Sequence, residues 1–264
     1  MTAASDAGNQ TPAPPPDAIL LAAGKGTRMG GDLPKVLHEV AGRSMIYWVV
    51  RACQSAGVGR CIVVVGYRGE LVREALAGME NVEFVEQAEQ LGTGHAARMA
   101  EPLFEHVEPR DVFVLAGDGP LIRPETLTKL LEVHRGKDAA ATMATAVLDD
   151  PSGYGRVVRD EHGNFSEIVE QKDASEEQLA IREVNPSYYC FRSDRLFESL
   201  GQVDNDNRQG EYYLTDVPGL LRSRGYTVAV VDAVPPEDVL SVNTPQQLAA
   251  VDEVLRERLA GSLG

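Results

Sequence analysis

The sequence predicts an α/β fold with a Rossmann-like, doubly wound sheet that is mixed but mostly parallel. Up to residue 138, short and mainly apolar segments typical of buried strands alternate with segments that predict helices. The strand-like segments lie at 18–22, 61–65, 82–85 and 111–116, and the helical segments lie at 45–56, 70–77, 93–102 and 124–134. Strands and helices that alternate in this way form βαβ units, and such units build parallel sheets.

The second half of the chain accounts for the mixed character of the sheet. β-rich segments separated by turns lie at 142–147, 155–159, 165–170 and 187–191. Turn residues between such segments favour hairpins, so we expect these strands to extend the first sheet. A helix is predicted at 213–224, a strand at 227–231 and a last helix at 245–259.

Composition and charge restrict the partners of the chain. Its 264 residues are 43% hydrophobic, which is typical of a globular core, and their net charge of −15 repels nucleic acid and anionic membranes. No apolar run approaches the roughly 20 residues that cross a bilayer. Residues 1–17 are rich in Ala and Pro and predict a disordered tail. Three cysteines without a C-x-x-C pair fit a reducing compartment. We expect a cytoplasmic protein with no nucleic-acid or membrane partner.

A glycine-rich turn follows the first predicted strand, at residues 22–30 (AAGKGTRMG). Glycines let backbone N–H groups approach a phosphate, and Arg28 and Lys35 add positive charge there. The spacing excludes a Walker A loop, and Met29 stands where the dinucleotide fingerprint requires its third glycine. The turn therefore predicts an anion site, with a purely structural turn as the alternative.

Several further segments share a recognisable pattern with this turn. They are 21–29 (LAAGKGTRM), 33–37 (LPKVL), 87–96 (QAEQLGTGHA), 117–118 (GD), 153–156 (GYGR), 168–173 (IVEQKD) and 210–216 (GEYYLTD). In this order they resemble the sugar-1-phosphate nucleotidyltransferases, and most of all the pyrophosphorylase domain of the bacterial N-acetylglucosamine-1-phosphate uridylyltransferases. The resemblance covers roughly residues 18 to 250.

The resemblance implies a fold of the nucleotide-diphospho-sugar transferase type and a Mg²⁺-dependent reaction. In that reaction N-acetylglucosamine 1-phosphate attacks the α-phosphorus of UTP in line and expels pyrophosphate. The product, UDP-N-acetylglucosamine, is a cell-wall precursor. Because the attacking phosphate is already an anion, catalysis needs positioning and charge neutralisation rather than a general base.

The resemblance also implies which residues bind the nucleotide. The nucleotide-binding positions are Leu21, Ala22, Ala23, Gly24, Lys35, Gln87, Gly92 and Thr93. Arg28 and Lys35 match the catalytic positions that face the phosphates, and Gln87 with Gly92 and Thr93 matches the uracil site. Without the resemblance, Gln87 reads as a surface residue. For Arg28 the alternative is a solvated loop arginine. His95, in the same segment, is assigned no chemistry.

The metal and sugar positions follow from the same comparison of motifs. Asp118 comes just after a buried strand, where open α/β sheets bind ligands, and its carboxylate suits Mg²⁺. The resemblance makes Asn243 the second ligand; the alternative is a helix N-cap before residue 245. The sugar-binding positions are Gly155, Glu170 and Asn185, with Tyr213 as either a pocket wall or a core aromatic.

Two positions depart from the family's pattern. Gly119 follows the aspartate where a larger residue is usual, and Pro186-Ser187 follows Asn185 where Thr-Gly is usual. Proline lacks a backbone N–H, so the contacts to the sugar are expected to differ. The identity of the substrates therefore stays open. The alternatives are another sugar 1-phosphate such as glucose 1-phosphate, another nucleoside triphosphate, or a non-sugar acceptor.

The domain organisation predicted is one nucleotidyltransferase domain over residues 18–260. It comprises a nucleotide-binding half (18–138), a sugar-binding half (139–245) and a C-terminal helix (245–260). The sequence contains no hexapeptide repeats, so we expect no acetyltransferase domain or activity. A non-catalytic regulator is disfavoured because Arg28, Lys35, Asp118 and Asn243 are all retained. A Rossmann dehydrogenase is disfavoured by Met29 and by the lack of an acidic ribose ligand.

Overall fold

A computed structural model describes residues 13–26, 29–232, 234–240 and 242–261 of the chain. The predicted catalytic residue Arg28 and residues 1–12 of the predicted tail lie outside the described residues. Within the described part, no helix combines the length and the apolar character that crossing a membrane requires.

The strands follow the predicted order closely. They are β1 (Asp17–Ala22), β2 (Glu39–Val40), β3 (Arg43–Ser44), β4 (Arg60–Val65), β5 (Val82–Glu86), β6 (Asp111–Ala116), β7 (Ala141–Val147), β8 (Gly155–Arg159), β9 (Phe165–Val169), β10 (Glu183–Asn185), β11 (Tyr188–Arg192) and β12 (Val228–Asp232). The α-helices are α1 (Met45–Ser55), α2 (Gly69–Ala75), α3 (Thr93–Arg98), α4 (Pro124–Gly136), α5 (Glu176–Leu179), α6 (Ser193–Leu200), α7 (Asp216–Ser223) and α8 (Pro245–Gly261). Short 3₁₀ helices span Lys35–Leu37, Glu101–Leu103 and Pro236–Asp238.

One large sheet organises these elements. Its order is β5-β4-β1-β6-β11-β7-β10-β8-β9, and β12 pairs with β7. From the pairings, β1, β4, β5, β6, β7, β8 and β12 run in one direction and β9, β10 and β11 run against them. The predicted α/β class, with a mixed but mostly parallel sheet, is confirmed.

The central strand β1 explains why these sequences form a parallel sheet. Leu20 packs in one core cluster and Ile19 in another, because successive side chains point to opposite faces. Both faces are covered, so the strand has no polar alternation and reads as a continuous apolar run. Full burial of each of these two side chains contributes roughly 1.5–3 kcal/mol.

The start of β1 corrects one boundary of the sequence prediction. Asp17, the last residue of the predicted tail, lies in β1, and its carboxylate is buried. It accepts a hydrogen bond from Arg60 Nη2 at 2.7 Å and lies 3.6 Å from Arg110 Nη1. Sequence reasoning placed it in the tail because an aspartate after three prolines resembles a linker, and the pairing arginines are distant in sequence.

Several short elements were not predicted. The β2–β3 hairpin and β10 have only two or three residues per strand, too few for a period to be recognised. Helix α5 begins with a capping box between Ser175 and Gln178 and has four residues. Helix α6 buries Leu196, Phe197 and Leu200, and this spacing could have revealed it.

The middle and the C-terminal part of helix α8 pack against the rest of the domain. Val251 and Leu255 pack in a third core cluster that includes Leu121. Near its C-terminus, Arg258 Nη1 donates to Leu121 O at 2.9 Å, and the same guanidinium pairs with the buried carboxylate of Asp238. The helix is therefore fixed against the segment that follows β6.

Candidate active site

A cavity opens at the carboxyl ends of the parallel strands. Leu21 of β1 pairs with Val64 of β4 and Ala116 of β6, so these strands end along the same edge. The cavity there measures ≈ 340 Å³. The predicted site residues that line it are Leu21, Ala23, Gly24, Lys35, Gln87, Gly92, Thr93, Asp118 and Glu170. Topology thus brings together residues from both halves of the chain, at the edge where open α/β sheets bind ligands.

The glycine-rich turn lies directly over Lys35. Gly26 has φ +69°, and a Cβ at this position would lie 2.6 Å from Lys35 Cβ, so only glycine fits. At Gly24 a Cβ would meet no atom within 4 Å, because this position faces the open cavity. Ala22 does not line the cavity; its side chain is buried in the core, since strand residues alternate between faces.

The next part of the cavity is built on Gln87, which follows β5 and is only 3% exposed. Its Nε2 donates to Gly92 O at 3.1 Å and lies 3.0 Å from His95 Nδ1. Gly92 has φ +109°, and a Cβ there would lie 2.6 Å from Tyr212 O, so glycine is required. Thr93 Oγ1 accepts from Leu214 N at 3.1 Å and holds the start of α3.

A cation-binding arrangement lies beside the glycine-rich turn. The Lys35 ammonium contacts Asp118 Oδ2 and donates to Asn243 Oδ1 at 2.9 Å. The two side-chain oxygens therefore converge on one positive centre, and the ammonium stands in for a cation. A carboxylate and an amide oxygen are hard donors that fit a divalent ion such as Mg²⁺.

The alternative interpretation of Asn243 as the cap of α8 is wrong. Thr244 Oγ1 accepts from Gln247 N at 3.2 Å, so the threonine caps the first turn of the helix. Gln247 Oε1 accepts from the backbone N of Asn243 at 2.8 Å. The side chain of Asn243 is thereby directed to Lys35.

Among the described residues, no group of three or more His, Cys, Asp or Glu side chains could hold a metal ion.

The opposite end of the cavity is acidic. Burial raises the pKa of the Glu170 carboxyl, whose Oε1 accepts a hydrogen bond from Thr215 Oγ1 at 3.2 Å. Gly155 lies next to it, since a Cβ at position 155 would lie 3.8 Å from Glu170 Oε1, but Gly155 itself is buried and does not line the cavity. A hydrogen-bonded carboxyl of this kind suits sugar hydroxyls.

Two predicted sugar ligands lie behind the cavity wall. Asn185 is 4% exposed; its Nδ2 donates to Tyr189 OH at 2.6 Å, and its Oδ1 accepts from Ser187 N at 3.1 Å. Tyr213 is also buried, and its hydroxyl donates to Asp173 Oδ2 at 3.1 Å. The structure does not bring either side chain to the cavity, because both are used in contacts within the protein.

The cavity also includes residues that sequence reasoning missed. They are Val36, Gln90, Ala96, Ala116, Ser187, Tyr189, Glu211, Leu214 and Thr215. Gln90 lies in the recognised segment 87–96, and Glu211 and Thr215 lie in segment 210–216, so the motifs carried a signal for them. Tyr189 carried no signal, and Ser187 was marked only by its departure from the family's pattern. Ser187 has φ +63°, a left-handed conformation at a position where the resemblance leads one to expect glycine.

Acidic residues beside the cavity give the stability a pH dependence. Burial, followed by repulsion from Asp204, Asp173 and Glu167, raises the pKa of Asp216 to about 6. A raised folded-state pKa contributes stability that is present below pH 4 and is lost as the pH rises through about 6. Asp216→Asn removes this loss.

We therefore expect the free energy of unfolding of Asp216→Asn, relative to the wild type, to increase between pH 4 and pH 7. The increase is about 1 kcal/mol, because the carboxyl is partly exposed and solvent screens its interactions. Urea unfolding at both pH values measures it, with the exposed Asp206→Asn as the control. A difference that does not change with pH would contradict the assignment.

Comparison with known proteins now adds to this geometry. The profile of the MobA-like NTP transferase domain matches residues 18–216. The chain belongs to the MobA-like NTP transferase family. The predicted membership of a nucleotidyltransferase family is confirmed by this match. The glycine-rich turn, Gln87, Asp118 and Glu170 all fall within the matched residues.

Individual relatives extend the similarity beyond the NTP transferase match. The chain is 47% identical over 242 residues to "Bifunctional protein GlmU" of Streptococcus gordonii. The aligned residues cover 92% of this chain and 52% of that protein. It is 48% identical over 243 residues to the protein of the same name from Heliobacterium modesticaldum, with the same coverage. The chain thus spans about half the length of these relatives. Nucleotidyltransferases of this family generally use a divalent metal.

Proposed function

We propose that the chain is a sugar-1-phosphate uridylyltransferase. It joins UTP and N-acetylglucosamine 1-phosphate to form UDP-N-acetylglucosamine and pyrophosphate, with Mg²⁺ as the metal. The observation that carries the proposal is the convergence of Asp118 and Asn243 on one cation, beside a glycine-rich turn in a nucleotidyltransferase fold. The similarity to proteins named bifunctional GlmU over 92% of this chain also supports it.

The proposed reaction is a single in-line displacement. A phosphate oxygen of the sugar 1-phosphate forms a bond to the α-phosphorus of UTP, while the bond from that phosphorus to the pyrophosphate oxygen breaks. No proton transfer is required, because both the attacking and the leaving oxygens are anionic. The protein therefore has to hold two anions close together, and Lys35 and Arg28 would neutralise part of that charge.

Residues would divide the work along the cavity. The backbone from Leu21 to Gly24 and Lys35 would bind the triphosphate, while Gln87, Gly92 and Thr93 would bind the uracil. Asp118 and Asn243 would hold Mg²⁺, which supplies positive charge to the phosphate oxygens when it is bound. Glu170 would accept from sugar hydroxyls, and the buried Gly155 would support this end of the site by letting Ile168 pack closely against it.

The sugar wall is proposed to work partly through buried residues. Asn185 would orient Tyr189 and Ser187, which line the cavity, and Tyr213 would stiffen the wall through Asp173. Pro186 and Ser187 depart from the family pattern at this wall. A different sugar 1-phosphate, such as glucose 1-phosphate, is therefore the second candidate substrate.

The proposed domain organisation and cellular setting follow the same lines. Residues 18–260 would form one nucleotidyltransferase domain, with nucleotide-binding (18–138) and sugar-binding (139–245) halves and the C-terminal helix. A cytoplasmic location is supported by three buried cysteines that are free thiols, as expected in a reducing compartment. The net charge of −15 supports small-molecule substrates rather than nucleic acid as partners.

A pyrophosphate-release assay tests the proposal. The wild-type chain is incubated with each pair of UTP, CTP, ATP or GTP and N-acetylglucosamine 1-phosphate or glucose 1-phosphate, with Mg²⁺ or with EDTA. We expect the fastest turnover with UTP, N-acetylglucosamine 1-phosphate and Mg²⁺, and none with EDTA. If no pair gave metal-dependent turnover, the proposal that the chain is a nucleotidyltransferase enzyme would be refuted. Preference for glucose 1-phosphate would overturn only the sugar assignment.

A further inference from the structure

His95 has a defined relation to the proposed base site that the reaction does not use. Gln87 Nε2 lies 3.1 Å from Gly92 O and 3.0 Å from His95 Nδ1. A backbone carbonyl can only accept, so the side-chain atom facing Gly92 O must be the amide nitrogen. One hydrogen of this NH₂ group goes to Gly92 O, and the other points at His95 Nδ1.

The second contact defines the state of the histidine. An NH₂ group only donates, so Nδ1 must accept, and the proton of the neutral imidazole then resides on Nε2. Both hydrogens of the Gln87 amide are thereby used within the protein. Because Gln87 is 3% exposed, losing either partner would leave a buried N–H without a hydrogen bond, which is costly.

The consequence is a fixed polarity at the cavity. With its nitrogen engaged on both sides, the carboxamide of Gln87 has its oxygen left to interact with a ligand, and Gln87 lines the cavity. An oxygen in this place can accept from a base but cannot donate to it. Uracil has an N–H at ring position 3, whereas cytosine has an acceptor nitrogen there. A rotated amide would present the opposite polarity.

We propose that His95 is a positioning residue that fixes the carboxamide of Gln87 and thereby sets the preference for uracil over cytosine. This inference rests on the proposed function, in which the cavity binds a pyrimidine nucleotide at Gln87. His95 acts only through Gln87. It does not line the cavity; it lies on a separate surface depression that also includes Arg98 and Tyr212.

The local backbone explains why a histidine reaches Gln87 from this position. Gly92 N-caps α3, and Gly94 packs so closely on the neighbouring segment that a Cβ would lie 3.0 Å from Tyr212 O. Gly94 N also donates to Tyr212 O at 2.8 Å. The first turn of α3 is therefore held rigidly, and the side chain of its third residue, His95, is directed at Gln87.

Three variants test the proposal. In His95→Asn the side-chain oxygen can accept near the position of Nδ1, whereas in His95→Leu no acceptor remains. Arg98→Leu is the matched control, because Arg98 lies on the same helix and the same depression and pairs with Glu101 at 3.3 Å, away from Gln87. For each variant, kcat and KM are measured with UTP and with CTP at saturating sugar 1-phosphate and Mg²⁺.

We expect the ratio of kcat/KM for UTP to that for CTP to fall about tenfold in His95→Leu, mainly through a higher KM for UTP. His95→Asn should keep the wild-type ratio, and so should Arg98→Leu. If the role of His95 were purely structural, His95→Leu would lower kcat/KM for UTP and for CTP by the same factor, and His95→Asn would not restore it. An unchanged ratio in His95→Leu would overturn the proposal.

Failure of this inference can be separated from failure of the proposed function. If the wild type turns over no nucleotide, the proposed function is refuted before any variant is compared. If the wild type uses UTP but His95→Leu keeps its base preference, only the role of His95 is refuted. Should His95→Leu not fold, His95→Phe fills the space of the ring without an acceptor, and the same loss of preference is expected.

Discussion

Asp118→Asn is expected to lower Mg²⁺-dependent turnover by about 10³-fold, roughly 4 kcal/mol of transition-state stabilisation. The substitution keeps the size of the side chain but removes its negative charge. In the structure this carboxylate and Asn243 Oδ1 share one cation. The variant site has two neutral amide oxygens in place of one carboxylate and one amide. Because the negative charge is lost, the protein holds the divalent ion more weakly.

The measurement is kcat/KM at several Mg²⁺ concentrations, and the concentration for half-maximal turnover should rise. Asp138→Asn is the matched control. Asp138 is exposed, precedes β7 at the opposite end of the strands, and has φ +46°, which asparagine tolerates. Full activity of Asp118→Asn at low Mg²⁺ would refute the metal assignment even if the enzyme class is right.

Lys35→Met is expected to have an effect of similar size on turnover, about 10³-fold, because it removes fixed positive charge at the proposed phosphate site. Its effect on the metal has the opposite sign. The Lys35 ammonium is bound to both proposed metal ligands. Methionine does not compete for these oxygens, so the Mg²⁺ concentration for half-maximal turnover should fall while kcat also falls.

This pair of opposite shifts separates Lys35 from Asp118 in one titration. Lys129→Met is the control, since Lys129 is exposed on α4 and lies 3.8 Å from Glu132. Lys35→Arg keeps the charge but replaces a compact ammonium by a planar fork, so intermediate turnover is expected. An unchanged or higher Mg²⁺ requirement in Lys35→Met would show that the lysine does not compete with the metal.

The parallel half of the fold could be predicted because its signals are local. A run such as 112–116 is apolar throughout, since β6 is buried on both faces, and the periods of α1 and α4 are long enough to recognise. The partners of β7 could not be predicted. It pairs with β10, β11 and β12, which come from three later parts of the chain.

The site was predictable to a different extent. Asp118 follows a buried strand, so its place at the carboxyl edge follows from topology. Asn243 is distant in sequence from Asp118, and only the resemblance to the family predicted that both side chains hold the same cation. The direction of a side chain was not predictable: Tyr213 belongs to a recognised segment and Asn185 matches a sugar-binding position of the family, yet Asn185 bonds to Tyr189 and Tyr213 bonds to Asp173.

Helix α8 holds one side of the proposed metal site in place. Asn243 is directed by the cap of α8, through Thr244 and Gln247. At the other end of the helix, Arg258 is bound to Leu121 O, three residues beyond Asp118. One helix thus sets the spacing between two proposed ligands that arise far apart in sequence. Loss of the last turn of α8 would therefore be comparable to a ligand substitution, and an intact α8 is a condition for interpreting any metal titration of this protein.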